Sequence, residues 1–435
     1  MKTLKNPNDG LISPLPIREF FLENGLQLLV LEDHSAPVIA VQVWYRVGSR
    51  NEVTGLTGVS HLLEHMMFKG TQKLKPEEYS EILKRYGGSE NAFTSNDVTA
   101  YFSALASSKL EEVLALEADR MVNLAFDERE FQAEREVVKE ERRLGENNPS
   151  RQIFEDLEAL AYKAHPYRIP VIGWMSDLEN FTRDDLIRHY RTYYAPNNAF
   201  LIVVGDVEAE SVLKLAKSYF GPIPGGVDPP RIRTREPEQT GERRAVIRRE
   251  AFLPMVVMAY HIPEYSHPHA SALKVLAQIL TRGKASRLYK TLVYHNQIAT
   301  SIGASAEDRI DPGLFGVTCN LQRGRNPEEA EVAIYQELER LQEEPVTDLE
   351  LEKAVNQAVS AFLFGQESML GQAFFIGRYN SLGSYHDVNR YVEKIQAVTR
   401  ETVLEVAKRY FTQENRSVVT LIPFSPKGRS LPLQG

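Results

Sequence analysis

The apolar positions of this chain change period several times, and each change predicts an element. Val38 to Val47 reads VIAVQVWYRV, a β-branched and aromatic run that predicts a central strand. Glu19 to Leu31 predicts a hairpin turning at Glu23-Asn24-Gly25, since Asn-Gly suits the positive φ of a tight turn. Helical spacing follows in Gly58 to Gly70, with Thr57 or Ser60 as the cap and Gly70 as the stop. Pro76 to Tyr86 is a second helix, stopped by Gly87-Gly88. Asn91 to Phe102 reads as strand, polar turn and strand. Ser107 or Ser108 opens a helix to Leu124, and Phe126-Asp127 opens another to Leu144. A helix over 177–194, a strand over 199–204 and a helix over 208–220 complete the first half.

Residues 221–241 (GPIPGGVDPPRIRTREPEQTG) carry no hydrophobic period and read as a linker. This divides the chain into 1–222 and 242–435, with 223–241 between them. The second half repeats the first in outline. Val256 to Tyr260 stands where the first strand run stood, and His269 to Leu280 stands in the place of the 58–70 helix. Helices over 327–343, 347–366 and 388–411 precede a late strand over 417–422. Residues 1–18 read as a loose arm.

Composition narrows the class. A chain of 435 residues exceeds one core, so two domains are expected. Its 43% hydrophobic and 25% charged content is that of a soluble globular protein. A formal net charge of −8 argues against nucleic acid and weakly favours neutral or basic peptides over acidic ones. No apolar run reaches membrane-spanning length, and the N-terminus has no signal-peptide core. A cytoplasmic location is expected, or a periplasmic one if a signal has been removed. With Cys319 alone, a metal site must use His and carboxylate ligands.

Such a site is offered by His61-Leu62-Leu63-Glu64-His65. On a helix the two histidines are i,i+4 neighbours, so both imidazoles leave one face and can share a zinc ion. Glu64 lies beside them, spaced to take a proton from an attacking water rather than to bind the metal. The spacing is the inverted zincin pattern H-x-x-E-H. Two histidines on a helix are also compatible with an ordinary half-buried face. A third ligand is needed from another element, and the 127–144 helix offers Glu128, Glu130, Glu134, Glu136, Glu140 and Glu141. Glu134, Val138 and Glu141 share one stripe. Pattern alone does not choose among these carboxylates, because a charged helix is usually a solvated face.

The run His61-x-x-Glu64-His65, Gly87-Gly88-x-x-Asn91-Ala92-x-Thr94, Glu134-Arg135-x-Val137-Val138-x-x-Glu141 resembles the pitrilysin/insulinase (M16) zinc metallopeptidases. It is most similar to their short-chain branch, which includes the mitochondrial processing peptidase and bacterial relatives. The similarity also takes in His165-Pro166-Tyr167 and Gly205-Asp206. It implies an α+β fold of two homologous α/β-sandwich domains forming half of a clam-shell chamber. One Zn2+ per chain is implied, in the first half only.

By the same resemblance Glu141, seven residues after Glu134 and 76 after His65, is the third metal ligand. Glu134 is then a supporting carboxylate, and Asn91, Ala92, Phe93 and Thr94 form a substrate-binding edge strand. Family members also use an Arg and, seven residues on, a Tyr in the second half. Alignment through Ser286 to Leu292 puts Val293 and Thr300 at those positions. The implied activity is a zinc endopeptidase working on peptides or unfolded segments. The implied assembly is a heterodimer with a homologous chain carrying the Arg/Tyr pair, or a homodimer. A non-catalytic scaffold subunit is the rival within the family, and a small-molecule metallohydrolase the rival outside it. Arg287 reads as structural. His34, His165, His261, His267 and His269 read as loop or turn histidines.

Overall fold

A computed structural model describes residues 14–424 of the chain. Most of the expected arm at 1–18, and the residues after 424, lie outside the described residues. Alternation along the strand Val38–Tyr45 sets the layers. Ile39, Val41, Val43 and Tyr45 enter one apolar cluster, and Ala40 and Trp44 enter another, so this strand is covered on both faces.

The strands are β1 (Arg18–Phe21), β2 (Gln27–Glu32), β3 (Val38–Tyr45), β4 (Ser89–Thr94), β5 (Thr99–Ala106) and β6 (Ala199–Gly205) in the first half. The second half contributes β7 (Arg243–Arg249), β8 (Met255–Ile262), β9 (Ala299–Ala306), β10 (Gly313–Leu321) and β11 (Arg416–Pro423). The first sheet has the order β1-β2-β6-β3-β5-β4 and the second β7-β11-β8-β10-β9. With β1 set aside the two orders correspond strand for strand. In each, one pair is parallel (β2 with β6, β7 with β11) and the others are antiparallel. The repeat seen in element order is therefore present in the hydrogen-bond topology of two open sheets flanked by helices. In this repeat the edge strand β4 corresponds to β9.

Each half also covers one face of the other's sheet. Helix Pro149–Ala161 belongs to the first half by sequence. It buries Ile153, Leu157 and Ala161 against Met255, Val257 and Ala259 of β8 and Val419 and Leu421 of β11. In return, helix Met369–Leu382 lies on β3 and β6, where Ala373 and Ile376 join Ala40, Trp44 and Phe200. Gly377 permits this approach, because a Cβ there would sit 2.3 Å from Trp44 Cε2.

No helix or strand occurs between Tyr219 and Arg243, but the segment is anchored. Both Glu236 carboxylate oxygens accept backbone N–H groups, of Lys163 (2.7 Å), Ala164 (2.8 Å) and His165 (2.9 Å). Two expected helices are each divided. The 177–194 segment forms Met175–Asn180 and Arg183–Tyr193, and the 388–411 segment forms Asp387–Gln396 and Arg400–Tyr410. At both breaks a threonine, Thr182 or Thr399, caps the following helix by accepting a backbone N–H.

Candidate metal site and peptide-binding edge

The motif helix runs Val59–Met66. Its start corrects the expected caps: neither Thr57 nor Ser60 caps it. Gly58 is the N-cap residue at φ 89°, and its missing side chain admits the Ile172 carbonyl, 2.3 Å from where a Cβ would lie. The first N–H groups are met instead by Glu52, a buried carboxylate from the preceding loop. Its Oε2 accepts from Gly58 N at 2.7 Å and its Oε1 from Ser60 N at 2.8 Å. Thr57 Oγ1 donates to Asp177 at 2.7 Å. Regular helix ends at Met66, and tighter turns carry the chain to Lys69 before Gly70 at φ 92°. The glutamate-rich helix spans Glu128–Glu146, opened by Asp127, whose side chain accepts from Arg129 N and Glu130 N.

These two helices pack together and bring three side chains to one point. Glu141 Oε2 lies 3.8 Å from His61 Nε2 and 3.7 Å from His65 Nε2. Those separations exceed a hydrogen bond. They are close to the roughly 3.4 Å that separates two donors bound at about 2.0–2.1 Å in a tetrahedral zinc site. The donor set of two imidazole nitrogens and one carboxylate oxygen therefore fits zinc. Among the described residues no other trio of His, Cys, Asp or Glu converges in this way, and His267 and His269 gather no third ligand.

The groups around the trio tune it. His65 Nδ1 donates to Glu134 Oε1 at 2.9 Å, which leaves the Nε2 lone pair facing Glu141. Glu134 is buried, and its other oxygen holds Lys69 Nζ at 2.9 Å. Burial opposes charge on both partners, yet the hydrogen bond and ion pairs prevail. The His65 imidazole is raised above its ordinary pKa and the Glu134 carboxyl is lowered. His61 is pushed down to about 3 by burial, with His65 and the Arg151 cation adding to the effect, so it is neutral and free to ligate at pH 7. Burial also raises the Glu64 carboxyl, against the hydrogen bond from Thr94 Oγ1 to Glu64 Oε2 at 2.6 Å. A carboxyl moved toward neutrality suits proton exchange. Glu136 and Glu140 are exposed and pair with Lys139 and Arg143, as a solvated face does.

Thr94 ends β4, which among the described residues pairs only with β5 and is the outer strand of the first sheet. Asn91 is exposed, and Ala92, Phe93 and Thr94 are half-buried. Thr94 faces Glu64, and Phe93 meets Trp44 edge-on. The turn after β4 is locked to the second half. Asp97 pairs with Arg50 at 3.2 Å and accepts from Tyr167 Oη at 2.7 Å. Arg50 and His165 also reach Asp311 of the β9–β10 hairpin, at 2.6 and 3.2 Å. The His165-Pro166-Tyr167 motif thus fastens the hairpin of one half to the edge of the other. Val293 packs against the core, and exposed Thr300 donates its hydroxyl to the Asn320 carbonyl within its own sheet. Arg287 is held by both oxygens of Glu350. The roles of Thr94 and Glu52 have no local sequence signal, because each depends on a partner brought in by the fold.

Two family models account for most of the chain. Residues 28–173 match Insulinase (Peptidase family M16), and residues 180–358 match the Peptidase M16 inactive domain. The chain belongs to the M16 peptidase family. The Helicobacter pylori zinc protease PqqE is 34% identical over 412 residues, covering 92% of each chain. The crystal structure of a protease from the same bacterium superposes with a TM-score of 0.92 at 32% identity, covering 94% of this chain and all of that one. The probable mitochondrial-processing peptidase subunit beta of Arabidopsis thaliana is 27% identical, over 97% of this chain and 84% of its own. No helix among the described residues is long and apolar enough to cross a membrane.

Proposed function

We propose that this M16 family member is a zinc-dependent endopeptidase acting on extended peptides or unfolded segments. His61, His65 and Glu141 hold one Zn2+, Glu64 is the general base, and Glu134 orients His65. The observation that carries the reading is the convergence of both Nε2 atoms and a Glu141 oxygen next to a carboxylate held by the free edge strand. When bound, zinc supplies Lewis-acid polarisation of a carbonyl and eases loss of a proton from water. The peptide adds to β4 along Asn91 to Thr94 through main-chain hydrogen bonds, which accept many sequences. Thr94 fixes Glu64 Oε2, leaving Oε1 to take the proton of the attacking water and pass it to the leaving amine.

The test is cleavage of an internally quenched peptide by the zinc-loaded chain. Glu64→Gln is expected to keep one zinc per chain and lose about 10²-fold or more in kcat. Glu64→Gln cutting at near wild-type rate would remove Glu64 from the base role. We further propose that the active form is a dimer, with a homologous chain supplying the Arg/Tyr pair in place of Val293 and Thr300. A relative named as a subunit supports this. A homodimer active by itself is the second outcome, read by sedimentation of the active species.

A further inference from the structure

We infer that Arg151 is a specificity-determining residue that selects a substrate carboxylate about two residues from the scissile bond; this rests on the peptidase reading above. Gly145 lies one helical turn after Glu141 on the same face of the glutamate-rich helix. The space its side chain would fill is taken by Arg151: a Cβ there would be 3.0 Å from Nη1 and 3.1 Å from Cζ. The Arg151 side chain therefore packs against the Gly145 backbone one turn beyond a metal-site carboxylate, and its charge is felt at His61.

This cation is also poorly neutralised. Its side chain is 47% exposed, and its closest carboxylate contact is Nε to Glu155 Oε1 at 3.8 Å. Glu155 is already committed, since both of its oxygens accept from Arg142 Nη1 at 2.8 Å. The Arg151 guanidinium makes no hydrogen bond among the described residues, so its fork of donors is open to a ligand. Lys69 near the site has no such freedom, being held by Glu77 and Glu134.

Geometry sets the reach. Gly145 lies four residues, about 6 Å, along the helix from Glu141, and an extended peptide advances about 3.3 Å per residue. A peptide centred on the His61, His65 and Glu141 trio and running along this helix would pass Arg151 some two residues away. The chemistry recognised is a carboxylate, which a Glu or Asp side chain or a peptide C-terminus can supply. A local cation here opposes the preference for neutral or basic peptides drawn from the net charge of −8.

The experiment measures fluorescence anisotropy of labelled ten-residue peptides on the zinc-loaded full-length Glu64→Gln chain, which holds substrate without consuming it. Amidated peptides carry one Glu or its isostere Gln, scanned through each position. A separate arm ends in a free carboxylate at the same distance. Glu is expected to bind about tenfold tighter than Gln at one position two residues from the cleaved bond. The cleaved bond is mapped by mass spectrometry with the wild-type chain. The gap should close in Arg151→Gln, reopen partly in Arg151→Lys, and shrink with added salt. Selectivity in the free-terminus arm alone assigns Arg151 to the peptide end; selectivity in the amidated arm assigns it to a side chain. Equal binding of Glu and Gln peptides in both arms, or a gap that survives in Arg151→Gln, overturns the inference. Carboxylate-selective binding by a wild-type chain that cuts no peptide, either alone or mixed with a homologous chain carrying the Arg/Tyr pair, would instead overturn the peptidase reading and leave Arg151 as a carboxylate-binding residue.

Discussion

At the scale of single residues, the most informative contact is His65 Nδ1 to Glu134, backed by Lys69. It fixes which nitrogen is free, and it carries a cost. The raised His65 pKa means that a metal competes with a proton for Nε2 up to a higher pH than at an ordinary histidine. A histidine whose folded pKa is raised favours the protonated form below that pKa and yields it above, so zinc affinity should climb as pH rises through the raised His65 pKa. Calorimetric titration in buffers of different ionisation heat should show proton release on zinc binding. Glu134→Gln should cost about 10- to 100-fold in zinc affinity while keeping the fold; unchanged affinity would make Glu134 a bystander. The residues of the H-x-x-E-H motif were legible because i,i+4 spacing alone puts two imidazoles together. Glu141 needed the family resemblance, since one carboxylate in a row of six looks like any other. Thr94 was named for the edge strand, but its hold on Glu64, like the roles of Lys69 and Glu52, was not legible, because these partners lie 30, 65 and 6–8 residues away across turns that spacing does not describe.

At the scale of elements, the motif helix depends on a borrowed cap. Glu52 is buried, and its carboxyl is pushed up to about 8 by that burial, against its two N–H bonds. A carboxyl with folded pKa near 8 and an ordinary unfolded value keeps its proton in the folded chain after the unfolded chain has lost it. Its contribution therefore makes stability fall as pH rises from about 4.5 to about 8. Glu52→Gln should flatten that slope in melting temperature, whereas Glu52→Ala should cost about 1–3 kcal/mol by orphaning buried N–H groups. Thermal melts from pH 5 to 8 separate the two.

Elements that escaped the sequence reading did so for stated reasons. In β7, RRAVIRR, alternation is present but arginines occupy both faces. Helix Met369–Leu382 is apolar nearly all round, with two glycines, because it is packed between halves and has no polar stripe to reveal a period. The breaks at Thr182 and Thr399 were marked by their caps, but apolar residues on both sides continued the helical spacing across them.

At the scale of the whole molecule, the exchange of helices Pro149–Ala161 and Met369–Leu382 joins the halves more firmly than a linker would. One apolar cluster contains residues of both sheets. Heating should therefore give one cooperative calorimetric transition, not two, and Gly377→Leu should lower it by driving a side chain into Trp44. Two resolved transitions would mean that the halves melt independently. The strand repeat was readable from element order, but this crossing was not, because nothing local in either helix names the sheet it will cover.

The exchange also imposes a timetable on synthesis. The first sheet is complete once Gly205 has emerged, yet the helix that covers Trp44 and Phe200 begins only at Met369. At ribosomal speeds of about 5–20 residues per second, that interval lasts on the order of ten seconds. Throughout it a finished sheet stands on the ribosome with one greasy side bare, so the nascent chain is a natural client for a holding chaperone until helix Met369–Leu382 arrives to cover it.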